Sequence, residues 1–423
     1  MTAPGNAPTT APATAIIIGN GVVGLCVAIA LQRRGVAVTI VAPDAPWRGA
    51  SWGNAGHVAV EQVEPLASLA TVRSVPRRLF ARGGAVALPP RAVTAWLPFA
   101  LRLLRAGTPG RFARGKAALS AALATAMPAW RRLLADAGTP SLLREDGHFI
   151  VWEDAARAAH GRAQWLAADT GTATVRDATP DELARLAAVT RVPLAGAIRF
   201  SGSGQITDPA ALGQALYARF DASGGVFVHG RAARVTADDR GARVVLEGGR
   251  ALDAAVAVVA AGAESAALVT PAGLRAPLIA ERGYHIEADP GDWPADLPPV
   301  VFEERATIVT RFAHRLRAAS FVEFAHAATP PDPRKWARLR GHVAALGLGF
   351  AEPVSQWIGA RPTLPDYLPA IGRAARTPAL AYAFGHQHLG LTLAATTGEA
   401  VAALLCGERP AFDLAPFDLR RFG

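Results

Sequence analysis

The chain has 423 residues, 51% of them apolar, which is room for two or three domain-sized cores and too apolar for disorder. Only Cys26 and Cys406 are present, far apart and without metal-ligand spacing, so neither a disulfide framework nor a zinc site is expected from the cysteines, and a reducing, cytoplasmic setting fits. The net charge of +10 is almost all arginine, with Lys116 and Lys335 the only lysines, and no recognition-helix or base-stacking pattern accompanies it, so nucleic acid is rejected as a partner.

Met1–Thr14, rich in Ala, Pro and Thr, reads as a tail rather than a signal peptide. No stretch approaches the roughly 18 uninterrupted apolar residues of a membrane span. The apolar run Ala15–Ile18 then leads into Gly19-Asn20-Gly21-Val22-Val23-Gly24, a G-x-G-x-x-G. Ala28, Leu31 and Gly35 follow at helical spacing, and Val36–Val41 reads as a second strand. This β-α-β context is that of a dinucleotide diphosphate site. Gly19 permits the turn, Gly21 lets the backbone approach the pyrophosphate, and Gly24 lets helix and strand pack.

Between Thr71 and Lys116 there is no Asp or Glu, while nine arginines, Arg73 to Arg114, alternate with residues such as Leu79, Trp96, Leu97, Phe99, Leu101 and Leu104. Two readings stand: a helix lying on an anionic membrane surface, or a core-packing helix with a solvated arginine face. A helical segment, Ala117–Ala137, and a strand, Gly147–Trp152, follow. Asp208-Pro209 marks an N-capped helix, and Gly225–His229, Ala232–Thr236, Ala242–Glu247 and Ala254–Gly262 read as strands. Mixed strand from Leu274 to about Phe350 reads as a separate sheet, and a final helix starts near Gly390. The fold class is α/β: a Rossmann-like dinucleotide-binding domain from 14–70, 200–270 and 355–423, with a second α+β domain on a mixed or antiparallel sheet from 71–199 and 271–354.

Four segments carry a family resemblance: the fingerprint; Gly49-Ala50-Ser51-Trp52-Gly53-Asn54-Ala55-Gly56-His57; Val258–Ser265; and the tail from Trp357 through Arg361-Pro362, Pro365-Asp366 and Gly385-His386-Gln387-His388-Leu389-Gly390-Leu391-Thr392. Together they resemble the D-amino-acid oxidase/dehydrogenase superfamily of FAD enzymes, nearest to bacterial D-amino-acid dehydrogenases and their hydroxyproline-type relatives. The resemblance implies FAD held by Gly19, Gly21, Val22, Val23 and Gly24 at the diphosphate, by Asp44, Val235, Ala261 and Gly262 on the adenosine side, and by Ser51, Asn54, Ala55, Gly56, Gly359, Gly385, His386, Leu389, Gly390, Leu391 and Thr392 around the flavin. One departure is that Ala42 stands where the ribose-binding acid belongs. Asp44, two positions later, either reaches the ribose through a shifted turn or is replaced there by backbone groups.

The resemblance also implies a substrate carboxylate clamped by Arg361; the competing reading is an ion pair with an acid such as Asp366. Tyr284 is a second carboxylate donor or pocket wall, or else a half-buried strand tyrosine. His57 faces the substrate or is a satisfied structural histidine. Glu323 is a pocket residue or faces solvent, Glu61 and Gln62 receive no role, and His386 and His388 have metal-ligand spacing but no third ligand, so no metal is expected. The implied reaction is hydride transfer from Cα of a D-amino or cyclic imino acid, of the D-proline or cis-4-hydroxy-D-proline type, to flavin N5. The alternatives are a sarcosine/glycine-type amine oxidase and a flavoprotein subunit of a larger amine dehydrogenase. Neither lysine lies in a flavin-adjacent segment, which favours a dehydrogenase passing electrons to an acceptor such as a quinone, an activity compatible with peripheral contact at the inner face of a membrane.

Overall fold

The computed structural model describes residues 11–44 and 49–423; most of the expected N-terminal tail therefore lies outside the described residues. Strand β1 (Thr14–Ile18), helix α1 (Val22–Gln32) and strand β2 (Ala37–Ala42) form the expected β-α-β unit. β1 is central in a six-stranded sheet, parallel to β2 on one side and to Val256–Val259 on the other. Val226–His229 extends the sheet beyond β2; Leu380–Phe384 and the antiparallel Ala370–Arg373 extend it the other way. Both faces are covered, so β1 and Leu380–Phe384 read as apolar runs rather than alternating patterns.

α1 is buried from Val22 to Leu31 apart from Val23. The C-terminal helix Gly390–Leu405 packs against it so closely that a Cβ on Gly398 would lie 2.5 Å from the Cys26 carbonyl oxygen. The segment Gln387–Leu405 is long and apolar enough to cross a membrane, yet 78% of it is buried inside the protein. On the other face of the sheet lies an antiparallel meander of Ala232–Asp238, Gly241–Leu246 and Ala251–Ala254, whose Val235 is in the core.

A second, nine-stranded sheet runs from Ser355–Thr363 through Ile279–Ala288, Leu316–Ala325, Thr307–Arg311, Val300–Phe302, His148–Trp152 and Gly196–Ser201 to Thr174–Asp177, with Val86–Ala87 paired off this path. It is antiparallel except where Val300–Phe302 meets His148–Trp152 and Val86–Ala87 meets Leu316–Ala325. Residues 355–363, grouped by sequence with the nucleotide-binding block, are hydrogen-bonded along Ile279–Ala288 in this second sheet. His57–Val58, Gly204–Ile206 and Leu143–Arg144 form a small third, antiparallel sheet.

Helix Pro209–Ala222 carries the expected cap, Asp208 Oδ1 accepting from the Ala210 and Ala211 amides. The helical segment 117–137 is two helices, Pro109–Ala124 and Ala126–Asp136. Pro128 has no N–H to donate to the Ala124 carbonyl, so the first helix cannot run on. In the arginine-rich stretch, helix Val93–Ala106 buries Phe99 against Phe324 at a 5.6 Å ring separation. The same helix exposes Val93, Leu97, Leu101 and Leu104, residues that fall on one stripe.

Candidate active site

The fingerprint turn is built by backbone geometry. Gly19 has φ +114°, and a Cβ there would lie 2.4 Å from the Ala260 carbonyl oxygen; a Cβ on Gly24 would lie 2.1 Å from that of Gly19. The helix can therefore start only beside a bare strand end. Gly21 caps α1 without a side-chain hydrogen bond and no acid occupies the first turn, which leaves the helix end positive. Ser51 Oγ, from a remote loop, accepts from the Val22 amide at 3.0 Å. Ala261 and Gly262 follow the neighbouring strand at the same edge, Gly262 at φ +57° with open space around it. A glycine cradle beside an uncapped helix end fits the diphosphate of a dinucleotide.

The adenosine side is less direct. Asp44 is exposed, and its backbone carbonyl accepts from Asn20 Nδ2 at 2.8 Å, so this residue at least anchors the fingerprint loop. Val235 is 1% exposed and paired with Val244, which leaves only its backbone to offer to a cofactor.

The loop holding Asn54, Ala55 and Gly56 is fastened to the second sheet. Asn54 Oδ1 accepts from the Gly56 amide at 2.7 Å, and the Gly56 carbonyl accepts from Ile206. Arg317, buried and ion-paired with Glu287 at 2.6 Å, donates to the Trp52 and Asn54 carbonyls, while His285 Nδ1 lies 3.1 Å from the Gly53 carbonyl. The Trp357 indole stacks on His285 at 5.0 Å and covers Gly53 and Gly359, where a Cβ on either glycine would strike it. At the far end of the chain Gly385 turns at φ +79°, and the helix from Gly390 starts uncapped and without an acid in its first turn. Thr392 Oγ1 accepts from the Ala59 amide at 2.9 Å, and the Leu391 carbonyl accepts from Trp130 Nε1. His386 and Leu389 are buried, His386 Nε2 lying 3.0 Å from Thr397 Oγ1.

Arg361 stands opposite Glu281 on paired strands, on the same face as Gly283 and Gly359. A Cβ on Gly283 would lie 2.2 Å from Arg361 Nη2, so the guanidinium lies flat over that glycine. Its contacts are long: Nη1 is 3.5 Å from Glu281 Oε1 and 3.4 Å from the Phe321 carbonyl oxygen. Its side chain is 29% exposed. Asp366 is not its partner, being held by Arg421 at 2.6 Å. Glu281 is committed more firmly elsewhere, accepting from Tyr367 Oη at 3.1 Å and Thr363 Oγ1 at 3.2 Å. Sequence reasoning missed this trio, because strand pairing brings Glu281 beside Thr363 and the turn after that strand adds Tyr367.

Tyr284 belongs to the opposite face and is not a pocket residue. It is 1% exposed and packs on Trp336; its hydroxyl donates to Glu323 at 3.2 Å and accepts from the Asp332 amide at 3.1 Å. Burial pushes its hydroxyl up to about 12. Glu323 likewise neither lines the pocket nor faces solvent; it is buried between Arg282, at 3.0 Å, and Lys335. His57 has Nε2 3.7 Å from Glu61 Oε1, its ring 4.4 Å from that of His148, and no hydrogen bond at Nε2 among the described residues. Burial holds His57 down at about 4 and pushes Glu61 up to about 8. His388 contacts Gln62; burial first, then the positive fields of Arg361 and His57, lower it to about 3.

The sequence matches the FAD dependent oxidoreductase (DAO) family over residues 14–404. The chain belongs to that family. As an FAD-dependent oxidoreductase it is 32% identical to the D-amino-acid oxidase of Bradyrhizobium diazoefficiens, across 96% of this chain and 98% of that one. It is 29% identical to the D-amino acid dehydrogenase of Cereibacter sphaeroides, across 96% and 95%. Among solved structures, glycine oxidase from Geobacillus kaustophilus superposes with a TM-score of 0.71 at 22% identity, covering 96% of this chain and 97% of that one. L-proline dehydrogenase from P. horikoshii superposes at 0.73 with 14% identity, covering 98% of each chain. The mixed α/β fold with its two large sheets, and FAD as the cofactor, thus agree with the sequence reading. A purely NAD(P)-dependent enzyme is excluded by the family.

Proposed function

We propose that this oxidoreductase dehydrogenates a small D-amino or cyclic imino acid, of the D-proline or cis-4-hydroxy-D-proline type. The observation that carries the reading is Arg361, a partly exposed guanidinium lying over Gly283 with only long contacts to its neighbours. A substrate carboxylate offers such a group two short parallel hydrogen bonds, which Glu281, held by Tyr367 and Thr363, does not. FAD supplies the hydride-accepting chemistry when bound. The chain contributes orientation through Arg361, and the fingerprint and helix-end residues hold the cofactor. The names of the D-amino-acid-acting relatives support the D-series.

Anaerobic bleaching of the bound flavin by D-amino acids, D-proline, cis-4-hydroxy-D-proline, sarcosine and glycine tests the substrate class. Reduction by the cyclic D-imino acids is expected, and failure of the whole panel sinks the reading. Bleaching by sarcosine and glycine alone transfers it to a glycine-type amine oxidase. Arg361→Ala should raise KM by about two orders of magnitude, the scale of a lost bidentate ion pair of roughly 3 kcal/mol, with flavin content unchanged.

The electron acceptor in this reading is a quinone, reached from a membrane surface. Support comes from the stripe Val93, Leu97, Leu101 and Leu104, exposed beside Arg102 and Arg105. Co-sedimentation with anionic vesicles should be lost in Leu97→Glu/Leu101→Glu, with soluble-dye activity kept; equal sedimentation of both proteins would remove the membrane from the proposal.

A further inference from the structure

Three titratable side chains, His57, Glu61 and His148, converge next to the loop at 49–56. His57 begins the short strand His57–Val58, Glu61 follows four residues later, and His148 begins the strand His148–Trp152 of the second sheet. Their ligating atoms lie within 4.8 Å of one another, and the two imidazole rings are 4.4 Å apart. Glu61 and His148 are each 3% exposed. His57 Nε2 and Glu61 Oε2 are both buried and have no hydrogen-bond partner among the described residues. Two unmatched polar atoms facing one buried space are costly unless something fills it. Ser203 Oγ, 3.3 Å from His148 Nδ1, sets the orientation of that ring, as an outer-shell partner does for a metal-bound imidazole.

We propose that His57, Glu61 and His148 bind one divalent first-row transition-metal ion. Two imidazoles and one carboxylate select zinc, cobalt or iron(II) over magnesium and calcium, which take oxygen ligands. Three protein ligands leave a coordination position open. The ion ties the turn after the flavin loop to the second sheet, since His57 pairs with Gln205 and His148 with Phe200 in separate sheets.

The test uses the flavin-loaded protein, stripped of metal by chelator and titrated with Zn2+ or Co2+ while metal content, melting temperature and flavin absorbance are followed. One equivalent should bind and raise the melting temperature. Glu61→Gln and His148→Ala should abolish binding with the flavin spectrum retained, and Ser203→Ala should weaken it by about 10- to 100-fold while keeping the fold. Cys406→Ser should bind as the parent does, which separates this site from a thiolate. No binding tighter than about 1 mM in the parent, or binding that survives in both Glu61→Gln and Ser203→Ala, overturns the proposal without requiring any variant to be unfolded.

Discussion

Arg361 and Tyr284 lie close together in the paired strands and do different work because a strand has two faces. Arg361 shares its face with Gly283, and Tyr284 points the other way into a network of Glu323, Arg282, Lys335 and the Asp332 amide. Tyr284→Phe strands the Glu323 acceptor and the Asp332 donor in a buried setting and should cost about 1–3 kcal/mol of stability, with substrate KM unchanged. A tenfold rise in KM with an unaltered denaturation midpoint would return Tyr284 to the pocket. Gly283→Ala should have the opposite profile, pushing the Arg361 guanidinium aside and raising KM with flavin retained. Arg361 was legible in the sequence because glycine and proline flank it and a family pattern surrounds it. Tyr284 was not, because every residue of Ile279–Ala288 is buried. With both faces covered, the period-two alternation that reveals a strand's orientation is absent. His148 was illegible for a different reason, since its neighbours His57 and Glu61 come from nearly ninety residues earlier.

At the scale of elements, the β-α-β unit was readable because its contacts are local: strand, glycine turn and helix are contiguous in the chain. The helix end is positioned by contact between Gly24 and the Gly19 carbonyl, so Gly24→Val should lift α1 from β1. The expected result is protein purified with substoichiometric flavin and a lower melting temperature; a full flavin complement would show that another element sets the helix end. Ser355–Thr363 was misplaced by sequence because its nine residues carry no signal naming Ile279–Ala288 as their partner. Strand pairing is a non-local choice, and an apolar segment followed by turns fits either sheet.

Over the whole molecule, buried imidazoles set the response to acid. His285, His386 and His388 are held down to about 3 and His342 to about 4, each chiefly by burial, from an ordinary value of 6.5. In the unfolded chain these groups take up protons near 6.5, and in the folded protein they do not. The unfolded state therefore binds more protons below that pH, and stability falls as pH drops from 6.5 towards 3. A later loss follows from Glu182, which Arg176 first, and then the Thr179 amide and Arg199, lower to about 2; its contribution is present above 4.5 and disappears as pH falls through 2. Denaturant midpoints should decline as pH falls from 6.5 towards 3, the several histidines outweighing the single opposing group, Glu61, whose raised value near 8 adds stability on acidification from 8 towards 4.5. A midpoint that rises on acidification would contradict the buried, neutral histidines.

The order of strands in the nucleotide sheet has a consequence for how the protein is made. β1 emerges from the ribosome well before Val256–Val259 and Leu380–Phe384, which complete its sheet, and before His285 and Arg317, which fasten the loop at 49–56. The helix end at Gly390 follows all of these in the chain. A nascent chain thus carries the fingerprint without the walls that surround it until Gly390 has emerged, so flavin capture waits for that segment. A stalled or proteolysed product lacking the final strand and helix should emerge colourless, however intact its G-x-G-x-x-G.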